Sequence, residues 1–320
     1  MIKIEDIQGR VYLLLAFVLA GTSVITARVL SGRLGGFTIT AVSLGLLVVF
    51  LLPFYLRKTV KTARLLNGAD WKMIVLQAVF GIFLFRIFLI SGVNLTGTGE
   101  AGILTGATPA ITSLLAFLLL REFPSGKTLP GIGCTVAGIL LLQGIAANGG
   151  SFSIHHFWGN VLVLCAAASE SVFNVISRKH GMKGRVSQSQ ALPPMVQTVL
   201  VSTMALALCL VPALLEHPAA ALQTTGLREW LALAWYGLVV TALAFAFFYA
   251  GVKRCDAYTT AAFSGMMPLT AMLLSVFLLG EKMGYLQWTG GAFIIFGMLL
   301  IGANPSQGKT KCEVQIGREI

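Results

Sequence analysis

Apolar stretches long enough to cross a lipid bilayer recur ten times along the chain, at about 11–29, 37–56, 71–92, 99–120, 128–147, 157–177, 194–215, 229–252, 258–279 and 284–302. A hydrocarbon layer of ~30 Å takes about 20 residues of helix, and helices satisfy their own backbone groups there. Polar punctuation between the stretches is short. Arg57–Arg64 reads as a basic loop, Asn94–Gly99 as a tight turn, and Asn148–Ser151 as the seam between two halves. Trp71 reads as an interfacial anchor at the start of the third span. The pattern predicts an all-α polytopic membrane protein.

One block occurs twice, from Pro109 to Gly138 and from Pro268 to Gly297. Each copy places a glutamate (Glu122, Glu281) and two glycines (Gly131 and Gly138, Gly290 and Gly297) at a constant offset of 159 residues. The same offset aligns Trp71 with Trp230 and Gly92 with Gly251, and residues 71–142 and 230–301 agree at 16 of 72 positions. Around the first helix of each half the offset is 150, which aligns Arg28 with Arg178. The chain reads as a duplication: residues 9–147, residues 157–302, and a tail at 303–320. Five spans per half is an odd number, so the copies are predicted upside down relative to each other, as two inverted five-helix repeats around a central cavity.

Composition strengthens the membrane reading: 56% of residues are apolar and 11% charged, against about 25% charged in soluble domains. The net charge of +11 suggests nucleic acid only until its distribution is considered. With the N-terminus in the cytoplasm, 18 of the 23 Lys and Arg residues fall inside and four outside, with Arg86 left in a span. The positive-inside rule accounts for the basicity and assigns both termini to the cytoplasm; nucleic acid is not expected as a partner. Cys134, Cys165, Cys209, Cys255 and Cys312 show no pairing or metal spacing and read as free thiols.

The doubled proline–glutamate–glycine–glycine block, the two five-helix halves and the short loops resemble the EamA-type transporters of the drug/metabolite transporter superfamily. The resemblance covers about residues 9–302. It implies a ten-helix, exporter-like carrier with a cavity between the halves, of a family that moves amino acids, other small metabolites and drugs.

The repeat also sorts the polar residues. Shared features read as scaffold, and polar features found in one copy as candidates for cargo or coupling. Pro109 and Pro268 lie near mid-helix and free the carbonyls of Thr105 and Ser264, which makes each a cavity-lining bend, a hinge or a packing kink. Glu122 and Glu281 read as caps of helices five and ten. Three charges in the membrane have no mirror: Arg86 aligns with Phe245, Glu100 with Thr259, and Glu170 with Ala20. Arg86 lies ~22 Å along its helix from Trp71 and reads either as the partner of Glu100 across the hairpin or as an outer-gate or carboxylate-binding group. Glu170 lies ~20 Å below Phe157 and shares a helical face with Asn174 and Ser177. The equivalent residues of the first helix are Ala20, Val24 and Ala27. Two readings of the stripe stand: Glu170 binds a cargo amine or a proton in the cavity, or it is a protonated acid hydrogen-bonded between helices. Tyr249 and other aromatics of helices three and eight face lipid or neighbours, with a subset available to an apolar pocket.

Enzyme signals are missing: there is no Gly-rich phosphate loop, and His155–His156, read as solvated loop residues, lack metal-ligand spacing. The sequence therefore predicts a secondary active or facilitative transporter exporting amino acids or related small metabolites by alternating access. It would use no cofactor beyond protons, sit in a bacterial inner membrane and carry small-molecule cargo; the sequence leaves the oligomeric state open and is compatible with a monomer. The alternatives are a drug or nucleotide-sugar-type carrier, or an integral membrane enzyme acting on lipid.

Overall fold

The computed structural model describes residues 4–120, 126, 128–142, 154–186, 192–255, 257–280 and 284–302. All regular structure among these residues is helical. Helix α1 is Ile4–Leu30 and α2 is Gly36–Leu65. Helix α3 runs Gly68–Ala78, passes through a π-helical segment Val79–Leu84, and continues as Phe85–Leu95. Helix α4 runs Thr98–Leu104, tightens to a 3-10 turn at Thr105–Ala107, and continues as Thr108–Leu120. Helices α5, Thr128–Leu142, α6, Ile154–Val186, and α7, Pro194–Leu215, follow. Helix α8 has the form of α3: Leu227–Ala234, a π-helical segment Trp235–Leu243, then Ala244–Val252. Helix α9 is in two pieces, Ala257–Ser264 and Met266–Leu279, and α10 is Tyr285–Gly302.

Among the described residues seven helices are long and apolar enough to cross a membrane, in α1 to α4 and α6 to α8. The other three predicted spans appear as shorter apolar helices, Leu129–Gly138, Met266–Leu279 and Trp288–Gly297. The shortfall in α9 has a local cause. Pro268 cannot donate to the carbonyl of Ser264, and the helix breaks at Gly265. Pro109 acts at the equivalent place in α4, where the turn before it tightens to 3-10.

Two predicted loops are helix. Arg57–Arg64 continues α2, and the chain turns only at Asn67, where the Asn67 side chain accepts from Asp70 N at 2.9 Å and the Asp70 carboxylate accepts from Asn67 N at 3.2 Å. This reciprocal cap starts α3 at Gly68, ahead of Trp71. His155 and His156 lie in the first turn of α6. Glu122, Glu281 and the tail at 303–320 lie outside the described residues.

The sequence repeat reappears in how helices touch. A Cβ on Gly92 of α3 would meet Val163 and the Gly159 carbonyl of α6 at 2.6 and 3.0 Å; on Gly251 of α8 it would meet Leu13 and the Gly9 carbonyl of α1 at 2.7 and 3.2 Å. Each of these residues maps onto its counterpart by 150 or 159. The third helix of each half therefore packs on the first helix of the other. Helices α5 and α10 meet the same way: a Cβ on Gly138 would stand 2.6 Å from the Gly290 carbonyl, and one on Gly297 2.6 Å from that of Gly131. Backbones this close leave no room for a side chain.

Gly237 of α8 is the strictest case, since a Cβ there would overlap the Ser43 carbonyl of α2. We expect Gly237→Ala to cost about 1–3 kcal/mol through overpacking, read as a lower thermal midpoint of the detergent-purified protein. Gly45→Ala in α2, with nothing within 4 Å, is the control expected to unfold at or above the wild-type temperature.

Candidate functional site

The two π segments and the first helices of both halves border a cavity, and much of its wall falls at repeat-related positions. Helices α1 and α6 contribute Ala20 and Glu170, then Ser23 and Phe173; α3 and α8 contribute Ile82 and Thr241, Phe85 and Ala244, Arg86 and Phe245. Each pair is related by 150 or 159. The frame is shared and the chemistry is not. One half supplies the cation, the other the acid, and Phe17, Phe85, Phe173, Phe245 and Phe248 make the wall largely aromatic.

Glu170 is 8% exposed and accepts one hydrogen bond, from the Thr108 hydroxyl of α4 at 3.2 Å. Thr108 precedes Pro109, and its carbonyl accepts from Ser171 of α6 at 3.2 Å. The distorted turn thus acts on the site through its neighbour. Met267, the equivalent residue before Pro268, lies on the cavity wall itself. Thr105, Pro109, Ser264 and Pro268 are buried outside that wall, and the Thr105 hydroxyl donates to the Gly102 carbonyl.

Arg86, 3% exposed, has neutral partners. It donates to the Ser43 hydroxyl at 2.7 Å, the Tyr236 carbonyl at 3.0 Å and the Thr241 hydroxyl, and its guanidinium lies 3.7 Å from the Tyr236 ring centroid. The predicted pairing with Glu100 does not form. Glu100 sits at the helix end with the Thr96 hydroxyl at 2.7 Å and His156 at 3.8 Å. Arg86 instead turns across the bundle to α2 and α8, where the π register brings Tyr236 and Thr241 together: the Thr241 hydroxyl donates to the Tyr236 carbonyl, five residues back, at 2.8 Å.

The predicted stripe on α6 divides. Glu170 and Asn174 line the cavity, and neither polar atom of the Asn174 amide has a protein partner. Ser177 lies beyond it, accepting from Gln77 at 3.1 Å, while Gln77 accepts from Gln197 at 3.1 Å. Tyr249 is also off the wall, packed against Phe173, Phe245 and Phe248. At the far end of α8, burial and then the neighbouring Arg254 push the Lys253 ammonium down to about 8, and it donates to the Leu192 carbonyl. No cluster of three metal-ligating side chains occurs among the described residues.

Sequence reasoning missed Ser43, Gln77, Thr108, Tyr236 and Thr241. The repeat held a signal for four of them: Thr108 aligns with Met267 and Thr241 with Ile82, polar in one copy only, and Gln77 aligns with Tyr236, a shared position with different chemistry in each half.

Apolar spans around a charged, aromatic cavity define an integral membrane protein of the transporter class. The chain belongs to the EamA-like transporter family, which matches it twice, over residues 7–143 and 157–303. It is 28% identical over 302 residues to the transporter YetK of Bacillus subtilis, covering 92% of this chain and 87% of that one. It is 26% identical over 207 residues to a probable amino-acid metabolite efflux pump of Salmonella typhimurium, covering 63% and 66%. A solved crystal structure shares the fold with a TM-score of 0.64 at 22% identity, over 91% of this chain and 95% of that one.

The Gln197–Gln77–Ser177 chain gives a test of packing beside the cavity. Gln77→Leu leaves Gln197 and Ser177 unpaired and is expected to cost about 1 kcal/mol, read by thermal unfolding in detergent. Adding Gln197→Leu, which removes the second buried amide, is expected to recover most of that loss.

Proposed function

We propose that this protein is a secondary carrier that exports amino acids or related small metabolites by alternating access. The observation that carries the reading is the cavity wall: corresponding positions of two repeated units, with Arg86 from one and Glu170 from the other. Ionisable groups inside a membrane are costly and mark cargo or proton paths. The kinship with an amino-acid metabolite efflux pump agrees with a cargo bearing both charges.

Ten spans in two inverted halves fit this mechanism. Seven long apolar helices and three shorter ones fall at the ten predicted stretches, and the exchanged contacts of Gly92 and Gly251 are those that two opposed copies would make. Rocking one unit against the other would open the cavity to each side in turn. Glu170 binds the cargo amine, or a proton when the carrier returns, and Asn174 supplies a neutral hydrogen-bonding group beside it. The distribution of Lys and Arg supports a bacterial inner membrane with both termini cytoplasmic.

The test is uptake of labelled amino acids into liposomes containing the purified protein, with and without a pH gradient. Wild-type protein is expected to transport a subset of the panel with a rate that responds to the gradient. Glu170→Gln is expected to lower the rate about tenfold or more and to remove that response. Full transport by Glu170→Gln with an unchanged gradient response would exclude Glu170 from the site.

A further inference from the structure

Arg86 is a buried cation whose surroundings fix it in place without neutralising it. Its acceptors are committed to holding it. The Ser43 hydroxyl donates its own proton to the Thr40 carbonyl at 3.1 Å, and that of Thr241 goes to Tyr236, so both oxygens offer lone pairs to the guanidinium. These bonds use part of a group that carries five N–H donors. Among the described residues the ion pairs are Arg33 with Glu229 and His156 with Glu100; Arg86 has none. Glu170 is on the same cavity but accepts from Thr108 of α4 and makes no ion pair with Arg86. A buried charge without a partner costs several kcal/mol.

A second group points to the same ligand. The Tyr236 hydroxyl is fully buried and has no partner in the protein, and its residue lines the cavity with the ring against Arg86. It is a phenolic donor. Resting on the carrier reading above, we propose that Arg86 and the Tyr236 hydroxyl form a carboxylate subsite, so that the cargo carries a single carboxylate on an apolar body.

The rest of the wall narrows the ligand class. Arg86 is the cationic residue on it, whereas a phosphate group would call for clustered basic side chains. The equivalent position in the other half is Phe245, so the pseudo-symmetric wall provides one anion pole. The five phenylalanines of the wall suit an apolar body. Neutral amides and amines lack the charge that Arg86 would pair with, and they are expected to bind poorly at this pole.

The experiment uses the full chain in detergent and three matched probes, benzoate, benzamide and benzyl alcohol, with binding read by calorimetry or by the shift in unfolding temperature. Benzoate is expected to bind about tenfold more tightly than either of the others. Arg86→Lys is expected to weaken benzoate about tenfold, because a point charge replaces a planar fork. Tyr236→Phe keeps the ring beneath Arg86 and is expected to weaken it severalfold. If Arg86→Lys does not fold, wild-type selectivity and Tyr236→Phe decide the matter. Equal binding of the three probes, no binding of any, or variants that bind benzoate like the wild type would overturn the subsite. Benzoate selectivity without amino-acid uptake in liposomes would keep the subsite and remove the amino-acid reading. Uptake in which methyl esters compete as well as the free acids would do the reverse.

Discussion

Helices in hydrocarbon gain nothing from burying apolar surface against one another, since lipid tails are as apolar as leucine; they associate where backbones come close. That constraint organises this protein. Gly92 lies against α6, Gly251 against α1, and Gly138 and Gly297 join α5 to α10. Each contact crosses from one half to the other, so neither half carries a complete interface of its own. Gly81 shows the same economy at the cavity itself: a Cβ there would overlap the Phe173 ring, and its absence lets that ring close the wall. A substitution that separates the halves at a glycine would therefore also move the cavity lining.

The halves are not joined equally at both ends. Where α1 meets α2, α3 meets α4, and α7 leads to α8, polar groups reach across. The Glu216 carboxylate accepts from Phe37 N at 3.2 Å, Thr38 N at 2.7 Å and the Thr38 hydroxyl at 2.8 Å, satisfying donors that the start of α2 leaves open. Arg33 pairs with Glu229 at 2.7 Å, and the Thr96 hydroxyl lies 2.9 Å from the Asn160 side chain. At the opposite end Gln77 of the first half donates to Ser177 and accepts from Gln197 of the second, while Arg178 donates to the Val252 carbonyl and Lys253 to that of Leu192 within the second half. Between the halves that end is also held by packing of Gly9 against Arg254 and Cys255, and by Arg254 over the Tyr12 ring. Opening the first end breaks bonds to carboxylates, whereas opening the second breaks the neutral bonds of Gln77 and separates packed surfaces.

Periodicity and repetition made the architecture legible because both reflect the solvent. Hydrocarbon dictates helix length and the duplication dictates which helices correspond, so the helical plan and the pairing of positions could be read from residue order. What the side chains do inside that plan could not. Arg86 and Glu100 are 14 residues apart across a short turn, and nearness in sequence made them look like partners. The guanidinium instead meets Ser43 of α2 and, across the crossing of the two halves, Tyr236 and Thr241 of α8. Ser177 failed as a cavity residue for a related reason: a helical face extends farther than the cavity it borders, and three positions beyond Asn174 the neighbour is Gln77. The π segments left no mark in the hydrophobic pattern, since one extra residue in a turn is invisible among uniformly apolar neighbours. They nonetheless decide where the Tyr236 carbonyl and the Thr241 hydroxyl stand.

Symmetry and asymmetry answer to different demands in such a molecule. In the proposed alternating access, two conformations that open to opposite sides would need similar packing energy, and a duplicated frame would provide it because each shape would use contacts equivalent to those of the other. A cargo with a head and a body must be gripped in one orientation, and for that the frame has to be broken chemically. Here the break consists of a few side chains: Arg86 opposite Phe245, Glu170 opposite Ala20, and Tyr236 opposite Gln77. Each places a polar group where its counterpart has an apolar or differently polar one, and none disturbs the glycine contacts that hold the halves together. The polar positions of the wall are thus distinct from the glycine contacts, while its apolar residues, Phe17, Ile82, Phe173 and Phe248 among them, also pack the core and tie the cavity to the bundle.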